Sequence, residues 1–566
     1  MDAAIKIDSL HFKYRSANKE SLVNINLEVN KGNFVVILGH GGAGKSTLCF
    51  SINGLIPRFL PGIIKGNVLI KDKKTTDYPV NEMAKIVGLV FQDFEAQLFC
   101  SSVELEIAFG LENISLNIAD MEERIKKYLD FVGLLEKRKA QISSLSGGQK
   151  QRLAIGAVLA MEPDVVVMDE PTTDLDPIGK NHVLSISDMI RDKKRTLIMV
   201  DNDYEVAVNA DSVWLMKDGE VVAKDAPKRV LSNIDLLNSC GVMAPPTVEL
   251  FRKMGWEEEP LTANEAVMYI KEKHPEIIIP ERTLKINKKP VSFEGGIIET
   301  KGLFYRYPSG QKDVLKNINL KINGGEFVAI LGQNGSGKTT LARHFNRLLT
   351  PTSGEVLVKG KKTTDYKQHE LARIVGYVFQ NPDNQIFSST VWEEVAFGLK
   401  MLGEDKKTIK KNTEEAIYVT GLTGYEDKSP FLLTKGERQR VAVASILSTK
   451  PEVIVLDEPT TGLDYAHQLS TMNMLKELNM QGRTIIIITH SMWIVEQFAT
   501  RVIIMKDGTI IADGPAREIF FYEDVLKEAS LAPSQIVRLS NWLKTASMTV
   551  DGLIKEIKGE SFPVSR

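Results

Sequence analysis

The sequence has little cysteine, no long apolar segment and no excess of one charge. Its three cysteines, Cys49, Cys100 and Cys240, lie far apart and form no C-x-x-C pair. That spacing argues against disulfides, zinc ribbons and iron–sulfur clusters and is typical of a reducing compartment. No run approaches the ~20 apolar residues that a membrane span needs, so we expect any membrane role to come through a partner. With a formal net charge of −2 over 566 residues, no general attraction to nucleic acid is expected.

What the sequence does contain is an internal repeat of domain size. Lys45 and Lys338 are 293 positions apart, whereas Gln92 and Gln380 are 288 apart. The five-residue difference places an insertion in the first copy, near residues 56–62. Because the period is several times longer than that of solenoid repeats, it indicates a duplicated domain.

A glycine-rich phosphate-binding loop opens each copy. Both segments follow an apolar run, precede a predicted helix and match G-x-x-x-x-G-K-[ST], whose backbone amides and lysine hold phosphate oxygens while the hydroxyl ligates Mg²⁺. The first loop consists of Gly39, His40, Gly41, Gly42, Ala43, Gly44, Lys45, Ser46 and Thr47. The second consists of Gly332, Gln333, Asn334, Gly335, Ser336, Gly337, Lys338, Thr339 and Thr340. The sequence therefore predicts two nucleotide sites.

An acidic pair ends a buried strand downstream of each loop. Asp169 and Glu170 follow the run 165–168, and Asp457 and Glu458 follow the run 453–456. In this context the Asp is predicted to hold Mg²⁺, and the Glu to orient the attacking water.

The hydrophobic pattern predicts an α/β fold for both copies. Alternating apolar residues before each phosphate loop indicate antiparallel strands, and later apolar runs suit a parallel sheet that is covered on both faces. Charged helical stretches at 121–132 and 407–419 indicate a helical insertion in each copy. Small helical appendages are predicted to follow both copies, because Ala244-Pro245 recurs as Ala532-Pro533.

The segment L-S-G-G-Q at 145–149 is the most specific motif in the chain. With it, the sequence resembles two ATP-binding cassette (ABC) ATPases fused in tandem. The resemblance implies P-loop NTPase cassettes at 1–235 and 293–520, with a helical appendage and linker at 236–292 and a C-terminal appendage at 521–566. A helix of the first appendage is expected at 263–273, and only about Pro280 to Val291 is expected to be true linker.

The resemblance also assigns roles to further residues. It implies a head-to-tail arrangement in which the L-S-G-G-Q segment of one cassette covers ATP held by the other. Its glycines suit a nest of backbone amides at a helix start. It implies that adenine stacks on an aromatic ring and that a glutamine completes the Mg²⁺ shell in each cassette. The residues concerned are Ser146, Gly147, Gly148, Gln149, Thr434 and Gly436 for the covering segments, Tyr14 and Tyr307 for adenine, and Gln92 and Gln380 for Mg²⁺. For each tyrosine, an ordinary strand aromatic is nearly as good a reading.

The text F-Q-N-P-D-N-Q at 379–385 is similar to the ATPases of energy-coupling factor (ECF) importers for vitamins, cobalt or nickel. The resemblance implies ATP and Mg²⁺ as cofactors, and separate transmembrane and substrate-binding membrane subunits as partners. It places the chain at the cytoplasmic face of the membrane, where the partner is expected to dock near the loops that contain Gln92 and Gln380, called here the glutamine loops. Glu95 and Asp383 are expected to receive basic residues of the partner there.

Two departures from the family pattern predict unequal sites. The second covering segment reads Leu433-Thr434-Lys435-Gly436-Glu437, without one glycine and the glutamine. His490 is placed where the family has a histidine that contacts the γ-phosphate. Counting back 289 positions gives Asp201, an acid expected to face phosphate unfavourably unless this loop simply lies elsewhere. In a head-to-tail pair both defects share one composite site. We therefore expect one hydrolytic site, using Glu458 and His490, and one site with Glu170 that mainly binds ATP.

Two other functions remain open on the sequence. A soluble tandem ABC ATPase that acts on ribosomes or nucleic acid would also carry two cassettes. However, the connector is no long basic helical arm, and the net charge is slightly negative. A regulatory scaffold without turnover is the third possibility, against which the intact Glu458 and His490 weigh.

Overall fold

The computed structural model describes residues 3–173, 175, 177–277, 296–308 and 312–559. They form two compact units, one running to Glu249 and including Asp464–Ala466, the other comprising Leu250–Leu463 and the residues from His467 onward. The linker predicted from Pro280 to Val291 lies outside the described residues.

The first cassette is built on a six-stranded and a four-stranded sheet. The larger sheet has the order β10-β9-β3-β8-β7-β6 and is parallel except for β10, whereas the smaller, antiparallel sheet has the order β2-β1-β4-β5. Its strands are β1 (Ala3–Tyr14), β2 (Leu22–Asn30), β3 (Phe34–Leu38), β4 (Gly62–Ile70), β5 (Lys73–Lys74), β6 (Val87–Val90), β7 (Val165–Asp169), β8 (Thr196–Val200), β9 (Ser212–Lys217) and β10 (Glu220–Asp225).

Helices flank these sheets, and α4, α5 and α6 pack on one another as the predicted helical insertion. The helices of this part of the chain are α1 (Lys45–Asn53), α2 (Val80–Ala84), α3 (Phe94–Gln97), α4 (Val103–Asn113), α5 (Ile118–Phe131), α6 (Gly147–Ala160), α7 (Pro177–Asp192), α8 (Tyr204–Ala207), α9 (Pro227–Leu231), α10 (Ile234–Ser239) and α11 (Pro246–Met254). Short 3₁₀ turns occupy Leu135–Lys137 and Ile142–Ser144.

The second cassette repeats this topology. Its sheets have the orders β16-β17-β18-β13-β19-β20 and β12-β11-β14-β15. The strands are β11 (Gly296–Tyr305), β12 (Leu315–Asn323), β13 (Phe327–Gly332), β14 (Ser353–Val358), β15 (Lys361–Lys362), β16 (Val375–Val378), β17 (Val453–Asp457), β18 (Thr484–Ile488), β19 (Arg501–Lys506) and β20 (Thr509–Pro515). The helices from residue 263 onward, which include those of the appendages, are α12 (Ala263–Lys273), α13 (Lys338–Phe345), α14 (Gln368–Ala372), α15 (Val391–Met401), α16 (Lys406–Val419), α17 (Lys435–Leu447), α18 (Tyr465–Met480), α19 (Met492–Phe498), α20 (Ala516–Phe521), α21 (Glu523–Glu528), α22 (Gln535–Trp542) and α23 (Val550–Ile557). Further 3₁₀ turns lie at Pro275–Ile277, Thr363–Asp365, Pro382–Asn384 and Pro430–Leu432.

The apolar runs identified in the sequence form the centres of the two large sheets. Every residue of β7, β8, β17 and β18 is buried, as a parallel strand covered on both faces requires. The predicted α/β class is confirmed: each cassette has a parallel-sheet core, an antiparallel β subdomain and a helical insertion.

The predicted appendage helix at 263–273 is present as α12, which packs against α22. The backbone amide of Ala263 donates to Gln535 Oε1 at 2.8 Å, and Lys253 Nζ lies 2.8 Å from Asp551 Oδ1. Contacts thus join helices before and after the second cassette. In the part of the chain that the structure describes, no helix is both long enough and apolar enough to cross a bilayer.

Candidate functional site

Each phosphate loop leads from a buried strand into a helix without a side-chain cap. The residue before α1 is Gly44 (φ 99°) and the residue before α13 is Gly337 (φ 103°), a left-handed conformation that favours glycine. A Cβ on Gly44 would also collide with the carbonyl oxygen of Ser21. The first-turn amides of both helices therefore remain available to an anion, as a phosphate site requires.

The two loop lysines lie inside their loops. Lys45 Nζ donates to the carbonyl oxygens of Gly39 and His40 at 2.5 and 3.0 Å, and Lys338 Nζ donates to those of Gly332 and Gln333 at 2.8 and 2.9 Å. Burial lowers the pKa of Lys45, and nearby carboxylates, Glu170 foremost, oppose that effect. Each loop thus surrounds a buried cation, an arrangement that fits phosphate.

The residues predicted to hold Mg²⁺ lie together in both cassettes. Thr339 Oγ1 donates to Asp457 Oδ1 at 3.0 Å, and in the first cassette the Ser46 hydroxyl lies near enough to Asp169 to lower the pKa of that carboxyl. Burial raises the pKa of both aspartates, and the neighbouring hydroxyl groups oppose that shift. A half-buried hydroxyl beside a buried carboxylate at a phosphate loop is a donor set that fits Mg²⁺.

Glu170 collects polar groups from three segments of the first cassette. Its carboxylate accepts hydrogen bonds from Gln92 Nε2 at 2.7 Å, Asn202 Nδ2 at 3.1 Å and Thr173 Oγ1 at 3.3 Å. Lys45 Nζ lies 3.9 Å from the same carboxylate. The structure therefore brings the predicted glutamine, glutamate and lysine of this cassette together.

Glu458 has a different set of partners. His490 Nδ1 lies 2.9 Å from Glu458 Oε1, while the buried Oε2 has no hydrogen-bond partner among the described residues. Gln380 is exposed and makes no hydrogen bond within the described part of the chain. A glutamate oriented by a histidine and with one free oxygen is suited to activating water.

The strand register corrects the predicted equivalence of Asp201 and His490. Asp169 pairs with Val200, and Asp457 pairs with Ile488, so these two strands are 288 residues apart rather than 289. The position equivalent to His490 is therefore Asn202. The one-residue difference lies further along, where α8 and α19 differ in length.

Asp201 does not face a phosphate loop in the way the sequence suggested. Its Oδ2 accepts a hydrogen bond from Thr172 Oγ1 at 2.5 Å, and its Oδ1 accepts from the amides of Asn202 and Asp203 at 2.8 and 3.0 Å. Burial, together with the charge of Asp203, raises the pKa of Asp201 to about 6. Asp201 organises its own loop, while Asn202 donates to Glu170 as the counterpart of His490.

Both covering segments begin a helix with a capping box. Ser146 precedes α6, and its amide donates to Gln149 Oε1 at 3.1 Å. Thr434 precedes α17, its amide donates to Glu437 Oε2 at 2.8 Å, and the Glu437 amide donates back to Thr434 Oγ1 at 3.3 Å. The glutamate thus preserves the local cap. Within the first cassette the described contacts include no hydrogen bond between Ser146 and the phosphate loop.

The two predicted adenine-stacking tyrosines lie beside the phosphate loops. The hydroxyl of Tyr14 is 3.1 Å from Thr47 Oγ1, and that of Tyr307 is 3.2 Å from Thr340 Oγ1. The rings are therefore near the predicted nucleotide.

Tyr377 was not singled out in the sequence. Its hydroxyl donates to Asp457 Oδ2 at 2.9 Å. Burial and the charge of Asp457 raise the pKa of Tyr377 well above its ordinary value, which keeps this donor protonated. Aligning the two copies would have shown that this position differs between them, because the equivalent strand position in the first copy is Leu89.

The chain is similar to known proteins along nearly its whole length. Residues 22–173 and 315–461 match the family model described as ABC transporter. A Caldanaerobacter subterraneus subsp. tengcongensis protein named as an ABC transporter ATP-binding protein is 46% identical over 566 residues, with 98% of each chain covered. One of the same name from Methanosarcina mazei is 37% identical over 592 residues, covering 99% of this chain and 97% of its own. The solved structure of cbiO1 from Clostridium perfringens, described as part of the ABC transporter complex cbiONQ, covers 44% of this chain and 99% of its own at 38% identity, with a TM-score of 0.38.

Proposed function

The chain belongs to the ABC transporter ATP-binding family, whose members bind and hydrolyse ATP, and on that premise we propose that it is the energising subunit of an ECF-type importer for a vitamin or a transition metal. It works with a separate transmembrane subunit and a separate substrate-binding membrane subunit. Through them it is held at the cytoplasmic face of the membrane.

One observation carries the proposed docking: each glutamine loop is followed by a pair of exposed aromatic rings. The rings of Phe99 and Phe109 meet edge to face with centroids 4.6 Å apart, and so do those of Phe387 and Phe397. Their exposed fractions are 64% and 43% in the first pair and 59% and 38% in the second. Exposed aromatic clusters are characteristic anchors of protein interfaces. We call these two pairs the docking aromatics.

The acidic residues expected to receive partner cations already have partners in the chain. Lys150 Nζ lies 2.6 Å from Glu95 Oε1, and Arg438 Nε lies 2.8 Å from Asp383 Oδ1. Ion pairs at this degree of exposure contribute little, so a basic residue of the partner can share or replace them at small cost. We therefore assign binding strength to the docking aromatics, and orientation to these acids.

The roles proposed for the site residues combine their contacts with the family resemblance. Ser46 with Asp169, and Thr339 with Asp457, are positioned to hold Mg²⁺, with Gln92 and Gln380 completing its shell. Held by these residues beside ATP, Mg²⁺ would supply positive charge to the phosphate oxygens. Glu458, oriented by His490, takes the proton of the attacking water.

The asymmetry of the two sites takes a milder form in this proposal than the sequence suggested. The first cassette has an amide, Asn202, where the second has an imidazole, and an amide can donate but cannot accept a proton near neutral pH. We assign most of the turnover to the site of Glu458.

The test is the steady-state ATPase activity of the purified complex carrying Glu458→Gln, beside the complex carrying Glu170→Gln. We expect Glu458→Gln to reduce turnover by at least about 100-fold, since general-base catalysis contributes on that scale, and Glu170→Gln to leave most of it. Equal losses from the two matched substitutions would contradict the asymmetry. Co-purification with ribosomes instead of a membrane subunit would contradict the importer role.

A further inference from the structure

Asp457 is held through both of its carboxylate oxygens. Oδ1 accepts from Thr339 Oγ1 at 3.0 Å, and Oδ2 accepts from the Tyr377 hydroxyl at 2.9 Å. Tyr377 is itself 4% exposed, and its ring packs edge to face on Phe379 with centroids 5.1 Å apart. Arg343 of α13 adds a positive charge that acts on both Tyr377 and Asp457. The carboxylate therefore has one rotational setting, with Oδ1 directed to the threonine.

The first cassette has apolar residues at both supporting positions. Leu89 pairs with Val167 as Tyr377 pairs with Val455, which makes Leu89 the equivalent of the tyrosine. Phe50 stands where α13 has Arg343, since both lie five residues after the loop lysine.

The aspartate of the first cassette is correspondingly less constrained. The Ser46 hydroxyl lies near enough to lower the pKa of Asp169, but the buried Oδ1 of Asp169 has no hydrogen-bond partner among the described residues. An unpartnered oxygen in a buried carboxylate leaves its rotation undetermined by hydrogen bonds. The two cassettes thus differ in the residues that contact the predicted Mg²⁺-binding aspartate, as well as in their covering segments.

We infer that Tyr377 is a positioning residue for Mg²⁺, and that it makes the second site bind the metal of Mg-ATP more tightly than the first. A hydrogen bond to a metal-ligating carboxylate orients it, and loss of such a bond costs about 10- to 100-fold in metal affinity. Tyr377 ties back Oδ2, so that Oδ1 stays beside Thr339, the other predicted ligand. The inference depends on ATP binding by the family, and not on the proposed importer role.

The test measures metal binding apart from catalysis. It uses the full-length chain with Lys45→Ala, which confines nucleotide to the second site, and Glu458→Gln, which preserves bound ATP. The Mg²⁺ concentration is increased at saturating ATP, and the rise in melting temperature of the protein is measured at each concentration. In the same chain, a fluorescent ATP analogue is bound in EDTA to measure affinity without metal.

We expect Tyr377→Phe to raise the Mg²⁺ concentration at half-saturation about tenfold while leaving binding in EDTA unchanged. Tyr366→Phe is the matched control, because it also removes a tyrosine hydroxyl of this cassette, one that donates to the Val358 carbonyl at 2.9 Å. It should change neither reading. A chain with Lys338→Ala and Glu170→Gln confines nucleotide to the first site instead. Its Mg²⁺ concentration at half-saturation should be about tenfold higher than that of the second site.

Two results would overturn the inference. One is a Mg²⁺ half-saturation that Tyr377→Phe leaves unchanged. The other is an equal loss of binding with Mg²⁺ and in EDTA, since that would assign Tyr377 to general packing of the site. Failure of the importer role would instead appear as absence of a membrane partner, with these titrations unaffected.

Discussion

At the scale of single residues, burial of Asp201 makes the ionised form of its carboxyl group unfavourable. Its carboxylate is 3% exposed and accepts hydrogen bonds from Thr172 and from two amides of its own loop. The neighbouring Asp203, which pairs with Lys180 at 2.9 Å, adds a negative charge close by. Ionised Asp201 is therefore disfavoured in the folded cassette relative to the unfolded chain.

This gives a pH dependence with a definite sign. The pKa of Asp201 is about 6 when folded and 3.8 ordinarily, so the folded state binds the proton more tightly. Its contribution to stability is complete at pH below 3.8 and is lost as the pH rises to about 6. Asp201→Asn retains the loop hydrogen bonds with the Thr172 hydroxyl reversed. We expect it to stabilise the first cassette by about 2 kcal/mol at pH 7 and by much less at pH 4.5.

Thermal melts of both proteins across that pH range provide the check. The difference in melting temperature should widen between pH 4.5 and 6.5 and stay constant above. Parallel curves would show that Asp201 carries no pH-dependent part of the stability.

Residue-level chemistry was only partly predictable from the sequence. The loop lysines and acidic pairs follow from local motifs, and the structure places them together in each cassette. The position equivalent to His490 was predicted wrongly. The two copies are 289 residues apart at 216–219 but 288 apart at β8, because the segment between these points is one residue longer in the second copy. Tyr377 could not be assigned to Asp457, because that hydrogen bond depends on the pairing of β16 with β17.

At the scale of elements, α17 shows how the second covering segment tolerates its altered sequence. Glu437 replaces glutamine but makes the same reciprocal bonds with Thr434. It also lies at the helix N-terminus, where a negative charge is favourable. The altered segment is thus a well-formed helix start whose charge differs from that of L-S-G-G-Q.

Two substitutions of Glu437 distinguish the contribution of its capping hydrogen bonds to stability from that of its negative charge. Glu437→Ala removes the capping box and should destabilise the second cassette by about 1 kcal/mol. Glu437→Gln restores the glutamine found in the first copy, keeps the box and should cost less than about half of that. Hydrogen exchange of the first turn of α17 reports the difference directly. Similar protection in both variants would show that the box contributes nothing.

Element positions were largely predictable because the apolar runs are unambiguous. The strands β7, β8, β17 and β18 and the helix α12 lie where the pattern indicated. The capping box at α17 was also readable, since Thr-x-x-Glu before an apolar run is its pattern. The arrangement of Tyr377, Leu89 and Asn202 was not readable from one copy, because it depends on which strands become neighbours.

At the scale of the whole molecule, both copies have the same sheet topology but differ in residues beside the acidic pairs. Both cassettes retain the loops, acids and docking aromatics. Near the acidic pairs they differ at Asn202 and Leu89, where the second copy has His490 and Tyr377, and the two covering segments differ at 145–149 and 433–437. Under the proposed asymmetry, such a chain would bind two nucleotides and hydrolyse mainly one.

The docking aromatics yield the last prediction. Phe387→Ser with Phe397→Ser removes an exposed apolar pair, so it should weaken capture of the membrane subunit at least about tenfold, as loss of an aromatic anchor does. Folding and ATP binding should persist, because neither ring belongs to the buried core. Phe59→Ser is the control, since Phe59 is 69% exposed but lies in the insertion of the first copy. Co-purification of the subunits at equal expression measures the effect. If the control and the double variant reduce recovery equally, the aromatics act through general solubility, and the docking face must lie elsewhere on the two cassettes.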